Sequence, residues 1–536
     1  MPSSLDETYE RMLCNIPEYL IEDVRRVLTL LCFVRRPLKI DELIDGMAIQ
    51  LYASPGLNRK RRMQNIEDIR QICESIVEFD TDLERRKRAY HQDGLTNIVR
   101  IAHSSIREYL LSNRLCDGKA AIFHLDSVKA NDEIAHIYLT YLLDDGIPSL
   151  NSASSVVEEY PLAQYAAGYW YDHFKAIDNT TSEIHESILR LFYQKNAFST
   201  WVELYGSVQP FNKSIEMIHE SNNNAGPIYY AASFGLNRVL RQLIALEQLG
   251  DSTAQGVSAR GGKHCYPLHA AMYNGHDITA ELLLDKGAKV TTRDDDGMTP
   301  LHLAAKFCIE FVVKLLLEDD RTQVNDCDNR RKSALHYALE AFDVNNRIIR
   351  LLLEYEVYID TVDMDNMTPL LLAIARNRED TVRLLTHFGA DVNQRISRDQ
   401  WESTNVWNYP DYHLVPQQAL ICSHESRRGL RPIHAAALFG VPQVAATLIR
   451  LGAQADVVTD FGQTSLHLAI CHRLVGLQFM DGWHESLRIP EEAMIEYIAA
   501  EELFTNEEEC RNLRKGCAAQ RLKTARLFLG KVNLSV

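Results

Sequence analysis

The 536 residues lack the signatures that catalysis usually leaves in a sequence. No Gly-x-x-x-x-Gly-Lys-Ser/Thr loop is present, so no run of backbone N–H groups is set up to wrap a nucleotide's phosphates. The nearest approach, Gly256 to His264, reads Gly-Val-Ser-Ala-Arg-Gly-Gly-Lys-His; it ends without the metal-binding hydroxyl and is predicted to be a flexible loop. His484-Glu485 is followed by Ser, Leu and Arg, not by the second histidine of a zinc protease, and no Gly-x-Ser-x-Gly elbow occurs. Eleven cysteines include no Cys-x-x-Cys pair, and the nineteen histidines never reach zinc-ligand spacing. The expectation is a protein with no catalytic residues, no metal and no cofactor.

Further absences narrow the setting. An odd number of scattered cysteines predicts reduced thiols and a cytoplasmic protein, with a nuclear alternative. Met1-Pro-Ser-Ser-Leu-Asp-Glu contains no apolar stretch of the kind a signal peptide needs. The longest apolar runs, such as Val27–Val34, fall far below the ~18 residues of a membrane span, so no membrane partner is expected. Acidic residues outnumber basic ones, giving a net charge of -16, which argues against a polyanion binder over the whole chain. What remains is ordinary globular composition, 46% apolar and 24% charged, on a chain long enough for several domains.

The C-terminal part repeats itself. Gly226-Pro-Ile-Tyr-Tyr-Ala-Ala, Tyr266-Pro-Leu-His-Ala-Ala, Thr299-Pro-Leu-His-Leu-Ala-Ala, Ser333-Ala-Leu-His-Tyr-Ala, Thr368-Pro-Leu-Leu-Leu-Ala, Arg431-Pro-Ile-His-Ala-Ala-Ala and Thr464-Ser-Leu-His-Leu-Ala are seven versions of one string. Their second residues are spaced by 40, 33, 34, 35, 63 and 33 positions. Thr299, Ser333, Thr368 and Thr464 suit helix N-caps, and Pro300 and Pro369 suit the first helical position, where a missing N–H does no harm. A second helix follows, as in Glu310–Glu318; Gly287 and Gly389 end theirs as left-handed caps. Asp296-Gly297 and Asp365-Asn366 suit tight turns. Each such unit has an apolar face that only stacking can bury. The period and the string resemble the ankyrin repeat. Arg331 stands where the fourth repeat would have its turn glycine, which predicts a looser tip.

The N-terminal part reads differently. Leu5–Ile16, Ile21–Phe33 and Leu38–Ile49 have helical periodicity, and Ile76–Asp80 and Ile98–His103 are strand-like runs around the charged loop Asp82–Gly94. Three helices and a hairpin outline a winged helix. Ala102–Ser112, Ala130–Leu143 and Tyr160–Phe174 continue as helices, with Ser152–Val157 as a break. Leu5-Asp-Glu-Thr-Tyr-Glu-Arg-Met-Leu, Arg36-Pro-Leu-Lys-Ile-Asp-Glu-Leu, Arg100-Ile-Ala-His-Ser-Ser-Ile-Arg-Glu-Tyr-Leu and Tyr160-Pro-Leu-Ala-Gln-Tyr-Ala-Ala-Gly-Tyr-Trp resemble the segment after the ATPase in fungal NACHT–ankyrin proteins, themselves similar to NOD-like receptors. That resemblance implies a sensor part without its NACHT ATPase, in self/non-self recognition, and a full-length NACHT relative as one partner.

The expected fold is mainly α, a winged helix plus helical spacer followed by an ankyrin-repeat solenoid. The expected divisions are a winged helix over 1–112, a spacer over 113–225, repeats over 226–490 with insertions near 251–263, 395–428 and 472–490, and a degenerate cap over 491–536. Two basic clusters, Arg59–Arg62 and Arg85–Arg88, raise the alternative of a nuclear winged-helix regulator that contacts DNA while the repeats recruit partners. Residues 1–112, however, hold 17 Lys+Arg against 18 Asp+Glu, and Asp41, Glu42 and Asp45 on the third helix would meet phosphates. Nucleic acid is therefore not the expected partner, and nor is a small-molecule substrate.

In ankyrin arrays partners contact the concave face, made of hairpin tips and the ends of first helices. Placing each unit on that pattern nominates Phe234, Tyr273, Asn274, Lys306, Phe307, Glu340, Arg376 and Phe439 at helix ends, and Asp295, Asp296, Arg330 and Asp365 at tips. Exposed aromatics there would anchor a protein partner, and the acidic tips, with Asp294, Asp328 and Asp363, would favour a basic one. The histidines that recur once per unit, His269, His302, His336, His434 and His467, are expected to bridge backbone groups of neighbouring hairpins. Trp401–Tyr412 is unusually aromatic for an insertion.

Overall fold

A computed structural model describes residues 5–51, 56–58, 60, 76–80, 97–147, 152–177, 182–207, 225–248, 256–341, 345–365, 367–395, 429–439, 441–460 and 465. The turn loop Asp82–Gly94 and most of the basic clusters lie outside the described residues. So do Asn366, the insertion Trp401–Tyr412, Thr464, His467, and the segments 472–490 and 491–536. The chain forms two compact units, 1–288 and 289–536.

The first unit opens with α1 (Leu5–Cys14), α2 (Ile21–Phe33), β1 (Leu38–Lys39), α3 (Ile40–Ala48), β2 (Val77–Asp80), β3 (Ile98–Ile101) and α4 (Ser104–Leu110). The strands form one antiparallel sheet in the order β1-β3-β2, with Leu38 opposite Val99 and Phe79 opposite Val99 on the other side. This is a winged-helix arrangement. The expected third helix is corrected at its start, where Leu38 and Lys39 are strand and not helix. Their pairing with Val99 and Ile98 of β3 holds both residues extended, and the helix starts only at Ile40. α2 buries Val24, Val27, Leu28 and Leu31 at helical spacing. α1 lies on α4 through a Tyr9–Tyr109 ring contact at 5.8 Å and a 2.6 Å Tyr9–Ser105 hydroxyl hydrogen bond.

α3 is mostly buried. Glu42, 3% exposed, accepts both arms of the Arg36 guanidinium (2.8 and 2.6 Å) and the Lys39 amide (2.7 Å). Asp45, 2% exposed, accepts the Tyr141 hydroxyl. Two of the three carboxylates expected to face outward are thus turned into the protein; Asp41 alone is exposed. A helix pinned this way presents little surface to a groove of nucleic acid.

The helices α5 (Ser127–Leu142), α6 (Ala153–Glu159), α7 (Ala163–Lys175), α8 (Ser182–Tyr193) and α9 (Lys195–Ser207) follow. The expected break at Ser152–Val157 is instead the start of α6, because the Ser152 hydroxyl accepts the Ser155 amide as an N-cap (3.2 Å). Asp126 caps α5 in the same way, through the Lys129 amide (2.9 Å). Arg35 donates its amide to the Tyr165 hydroxyl (2.8 Å), and the Arg36 guanidinium lies 4.5 Å over the Tyr165 ring. These contacts tie α7 to the winged helix. The first unit ends with repeat one, α10 (Pro227–Ser233) and α11 (Asn237–Gln248), and repeat two, α12 (Pro267–Tyr273) and α13 (Asp277–Asp285).

The second unit contains repeats three to six: α14 (Pro300–Lys306) with α15 (Glu310–Leu317), α16 (Ala334–Glu340) with α17 (Asn346–Glu354), α18 (Pro369–Ala375) with α19 (Glu379–His387), and α20 (Pro432–Phe439) with α21 (Pro442–Arg450). Each second helix buries a stripe, such as Val312, Val313, Leu316 and Leu317. The Thr447 hydroxyl of α21 donates to Glu379 of α19 (2.7 Å), so repeat six packs directly on repeat five although thirty extra residues separate them in sequence. Left-handed backbone recurs with the period: at 308 and 377 after first helices, 356, 389 and 452 after second helices, and 297, 331 and 429 at the tips.

Candidate partner-binding surface

The site is framed by a polar scaffold repeated in three successive hairpins of the second unit. One carboxylate oxygen of Asp294 accepts the amides of Asp296 (3.1 Å) and Met298 (2.8 Å). Asp328 does the same for Arg330 and Lys332 (2.9 and 2.7 Å), and Asp363 for Asp365 and Met367 (2.9 and 2.8 Å). Successive tips are joined through main chain, Asn329 N–H to Asp296 O (3.0 Å) and Met364 N–H to Arg330 O (2.9 Å). Arg331 adopts the left-handed conformation itself (φ 61°) and its amide still closes the turn onto Asp328 O at 3.0 Å, so the tip expected to be looser keeps the same hydrogen bonds.

The repeat histidines sit behind this frame. Thr299 N–H donates to His302 Nδ1 (3.0 Å), which leaves the proton on Nε2, 3.0 Å from the Lys332 carbonyl of the next hairpin. His336 repeats this with Ser333 N–H (3.2 Å) and Met367 O (3.1 Å), and His434 with Arg431 N–H (3.1 Å) and Val457 O (3.0 Å). Burial lowers the basicity of all three, His336 to about 4. His269 is fully buried beside the Tyr266 ring, 5.4 Å away.

The aspartates are accordingly turn builders first. Asp328 and Asp363 are buried, and Asp365, expected as an exposed tip, is 6% exposed with Arg330 3.6 Å away. That expectation is corrected: the carboxylate folds back under the tip. Asp295 and Asp296 are exposed, as is Arg330.

The nominated helix-end residues divide sharply. Phe234 is corrected from an exposed anchor to a core residue. It is 9% exposed, stacked on Tyr171 at 4.4 Å and edge-on to Trp170 and Trp201 at 5.9 and 6.1 Å, while its carbonyl accepts the Tyr171 hydroxyl (2.6 Å). Helices α7 and α9 cover the place a partner would occupy. Tyr273 is half-buried with its ring stacked on His264 at 4.2 Å. Asn274 is exposed but its side chain donates to Ser233 Oγ (3.2 Å) and Ala270 O (2.8 Å).

In the second unit Lys306 and Phe307 are exposed at the end of α14, with the Lys306 ammonium 5.6 Å from the Phe307 ring and 5.6 Å from the Tyr337 ring. Phe307 is 40% exposed, and Phe311, the second residue of α15, is 53% exposed. Glu340, half-buried, holds the Lys332 ammonium at 2.5 Å. Arg376 and Phe439 are half-buried at the ends of α18 and α20. The expected aromatic row therefore does not form as a whole; Phe307 is its exposed member. The sequence reading missed the Lys332–Glu340 pair and the hydrogen bond from Tyr337 to Asp328 (2.6 Å). The signal was there: Lys332 stands where the neighbouring repeats have Met298 and Met367, and Tyr337 where they have Leu303 and Leu372.

Among the described residues no three His, Cys, Asp or Glu side chains are grouped to hold a metal ion, and no helix is long and apolar enough to cross a membrane. Residues 9–126 match the winged-helix domain of GPI inositol-deacylase, and residues 228–326 and 312–396 match ankyrin repeats. The chain carries ankyrin repeats and a winged-helix domain of the GPI-inositol-deacylase type, and ankyrin repeats imply a protein–protein interaction scaffold. It is 38% identical over 296 residues to the azaphilone pigments biosynthesis cluster protein L of Monascus ruber, covering 54% of this chain and 60% of that protein. It is 29% identical over 248 residues to the transient receptor potential cation channel subfamily A member 1 of Drosophila melanogaster, covering 43% of this chain and 21% of the channel. The chain thus spans less than two thirds of the length of these curated relatives. Among solved structures, the ankyrin repeat domain of Bcl-3 aligns over 49% of this chain and 99% of its own at 22% identity, with a TM-score of 0.38.

Proposed function

We propose that this chain is a non-catalytic scaffold that binds a protein partner through the concave side of its ankyrin repeats, with Lys306 and Phe307 at the centre of the contact. The observation that carries this reading is Phe307: a large aromatic left 40% exposed beside a lysine at the end of the first helix of repeat three. An aromatic already ordered by a neighbour buries much area at little entropic cost, which suits an interface anchor. Asp295, Asp296, Arg330, Glu340, Arg376 and Phe439, all of the second unit, serve as polar or peripheral contacts in this reading. Phe234 and Asp365 drop out of it.

The finer role rests on resemblance. A winged helix followed by ankyrin repeats, with a fungal relative, supports a sensor role like that of the C-terminal part of fungal NOD-like receptors in self/non-self recognition, in the cytoplasm. The test uses the full chain with a photoreactive phenylalanine analogue at position 307 or, as control, at Lys314 on the outer helix α15. Covalent capture of a defined protein from the native cell at 307 and not at 314, lost when Lys306 is changed to Glu, is the expected result. Equal capture at both positions would sink the assignment of the surface.

A further inference from the structure

Repeats four and five treat the same aspartate differently. Asp328 uses both carboxylate oxygens, one for two backbone amides and the other for the Tyr337 hydroxyl at 2.6 Å. Asp363 reproduces the first half, accepting the Asp365 and Met367 amides. The second half is missing, because Leu372 stands where Tyr337 stands one repeat earlier. Asp363 is 1% exposed, and its Oδ2 has no hydrogen-bond partner.

An ionised carboxylate in that position is poorly compensated. From repeat four, Lys332 and Glu340 face it, and Lys332 is held 2.5 Å from Glu340. From its own hairpin, Asp365 faces it, with Arg330 of the preceding tip 3.6 Å from the Asp365 carboxylate. On balance the Asp363 carboxyl is raised to about 7, chiefly by burial, with the Met367 amide and Lys332 opposing and Asp365 and Glu340 adding to the rise. Asp363 and His336 grip the same residue from two sides: Asp363 accepts the Met367 amide, and His336 donates to the Met367 carbonyl. The Asp363 hydrogen bonds therefore hold the point at which the fifth hairpin is fastened to helix α16.

We infer that Asp363 is a proton-operated latch: protonated, it lets the fifth hairpin close on the first helix of repeat four, and ionised, it loosens that hairpin. The inference stands apart from the partner-binding reading and needs no partner to test. An opened hairpin returns Asp363 to an ordinary carboxylate near 4. Between that value and about 7, opening releases one proton, so the opening equilibrium grows about tenfold per pH unit and then levels off. His336 titrates in the opposite sense over part of this range.

The experiment is amide hydrogen exchange of the full chain from pH 5 to 8, corrected for intrinsic rates and read at Asp365 and Met367, in the natural protein and in Asp363→Asn. His336 is common to both and drops out of the ratio of their opening constants. That ratio is expected to climb about tenfold per pH unit from 5 to 7 and to be flat above. A ratio independent of pH overturns the latch. Should Asp363→Asn fail to fold, Leu372→Tyr supplies the missing hydroxyl and is expected to shift the natural protein's dependence to lower pH; an unchanged dependence overturns the latch equally.

Discussion

Single residues show how side-chain identity and backbone conformation trade against each other. At the third tip, Gly297 (φ 80°) has no room for a side chain: an added Cβ would lie 2.5 Å from the Asn329 side chain and 2.9 Å from its backbone nitrogen. At the fourth tip an arginine takes the same left-handed conformation. A non-glycine residue there carries strain of about 1 kcal/mol or more. Arg331→Gly is therefore expected to raise stability, by roughly 0.5–1 kcal/mol after the added entropy of the unfolded chain is subtracted. The midpoint of urea unfolding measures it, and an unchanged or lower midpoint would show that the arginine side chain compensates. The tip's position was legible in the sequence from the period. Its geometry was not, because the turn is fixed by Asp328 and by the neighbouring tips, and these hold the backbone whatever residue stands at 331.

Elements show why two phenylalanines at equivalent places have opposite fates. Phe234 and Phe307 both end first helices, and the repeat pattern treats them alike. Phe234 ends the first helix of repeat one, which packs on repeat two on one side and meets α7 and α9, not a preceding ankyrin unit, on the other. A repeat pattern describes contacts between like units, so it could not foresee a cover built from unlike helices. The lesson has a measurable form. Phe234→Ala is expected to cost about 3–5 kcal/mol, as for other buried large-to-small changes, and to lower the unfolding midpoint of the first unit. Phe307→Ala is expected to cost less than about 1 kcal/mol. Similar losses for both would mean that the cover over Phe234 is not packed as described. The histidine bridges, by contrast, were legible through the resemblance to ankyrin repeats, and His302, His336 and His434 make them to the next hairpin.

On the scale of the whole molecule, the buried histidines set the response to acid. Burial lowers His173 to about 3 and His264 and His336 to about 4, and lowers His302 and His434 as well. The unfolded chain binds protons near pH 6.5 at these sites and the folded chain does not. Their contribution is complete above about 6.5 and declines as the pH falls toward 4. Asp363 works the other way, as do Asp172, Glu247 and Asp360, whose carboxyls burial raises; His276, lowered by burial, adds to the imidazole side. The urea midpoint is expected to be lower at pH 5 than at pH 7, with His336 alone accounting for about 2 kcal/mol; a midpoint that holds or rises would mean that these imidazoles are protonated in the folded state. The connected tips have a different consequence. Their main-chain rungs run from Asp296 O to Asn329 N and from Arg330 O to Met364 N, with side-chain ties from Asn329 to Asp295 O (3.0 Å) and from Arg330 to Asp365 (3.6 Å) beside them. Mutation of tip side chains outside those ties, such as that of Asp295, can therefore rewrite the lettering while the spacing of the ladder stays as it was, so that new specificities can accumulate on an unchanged frame.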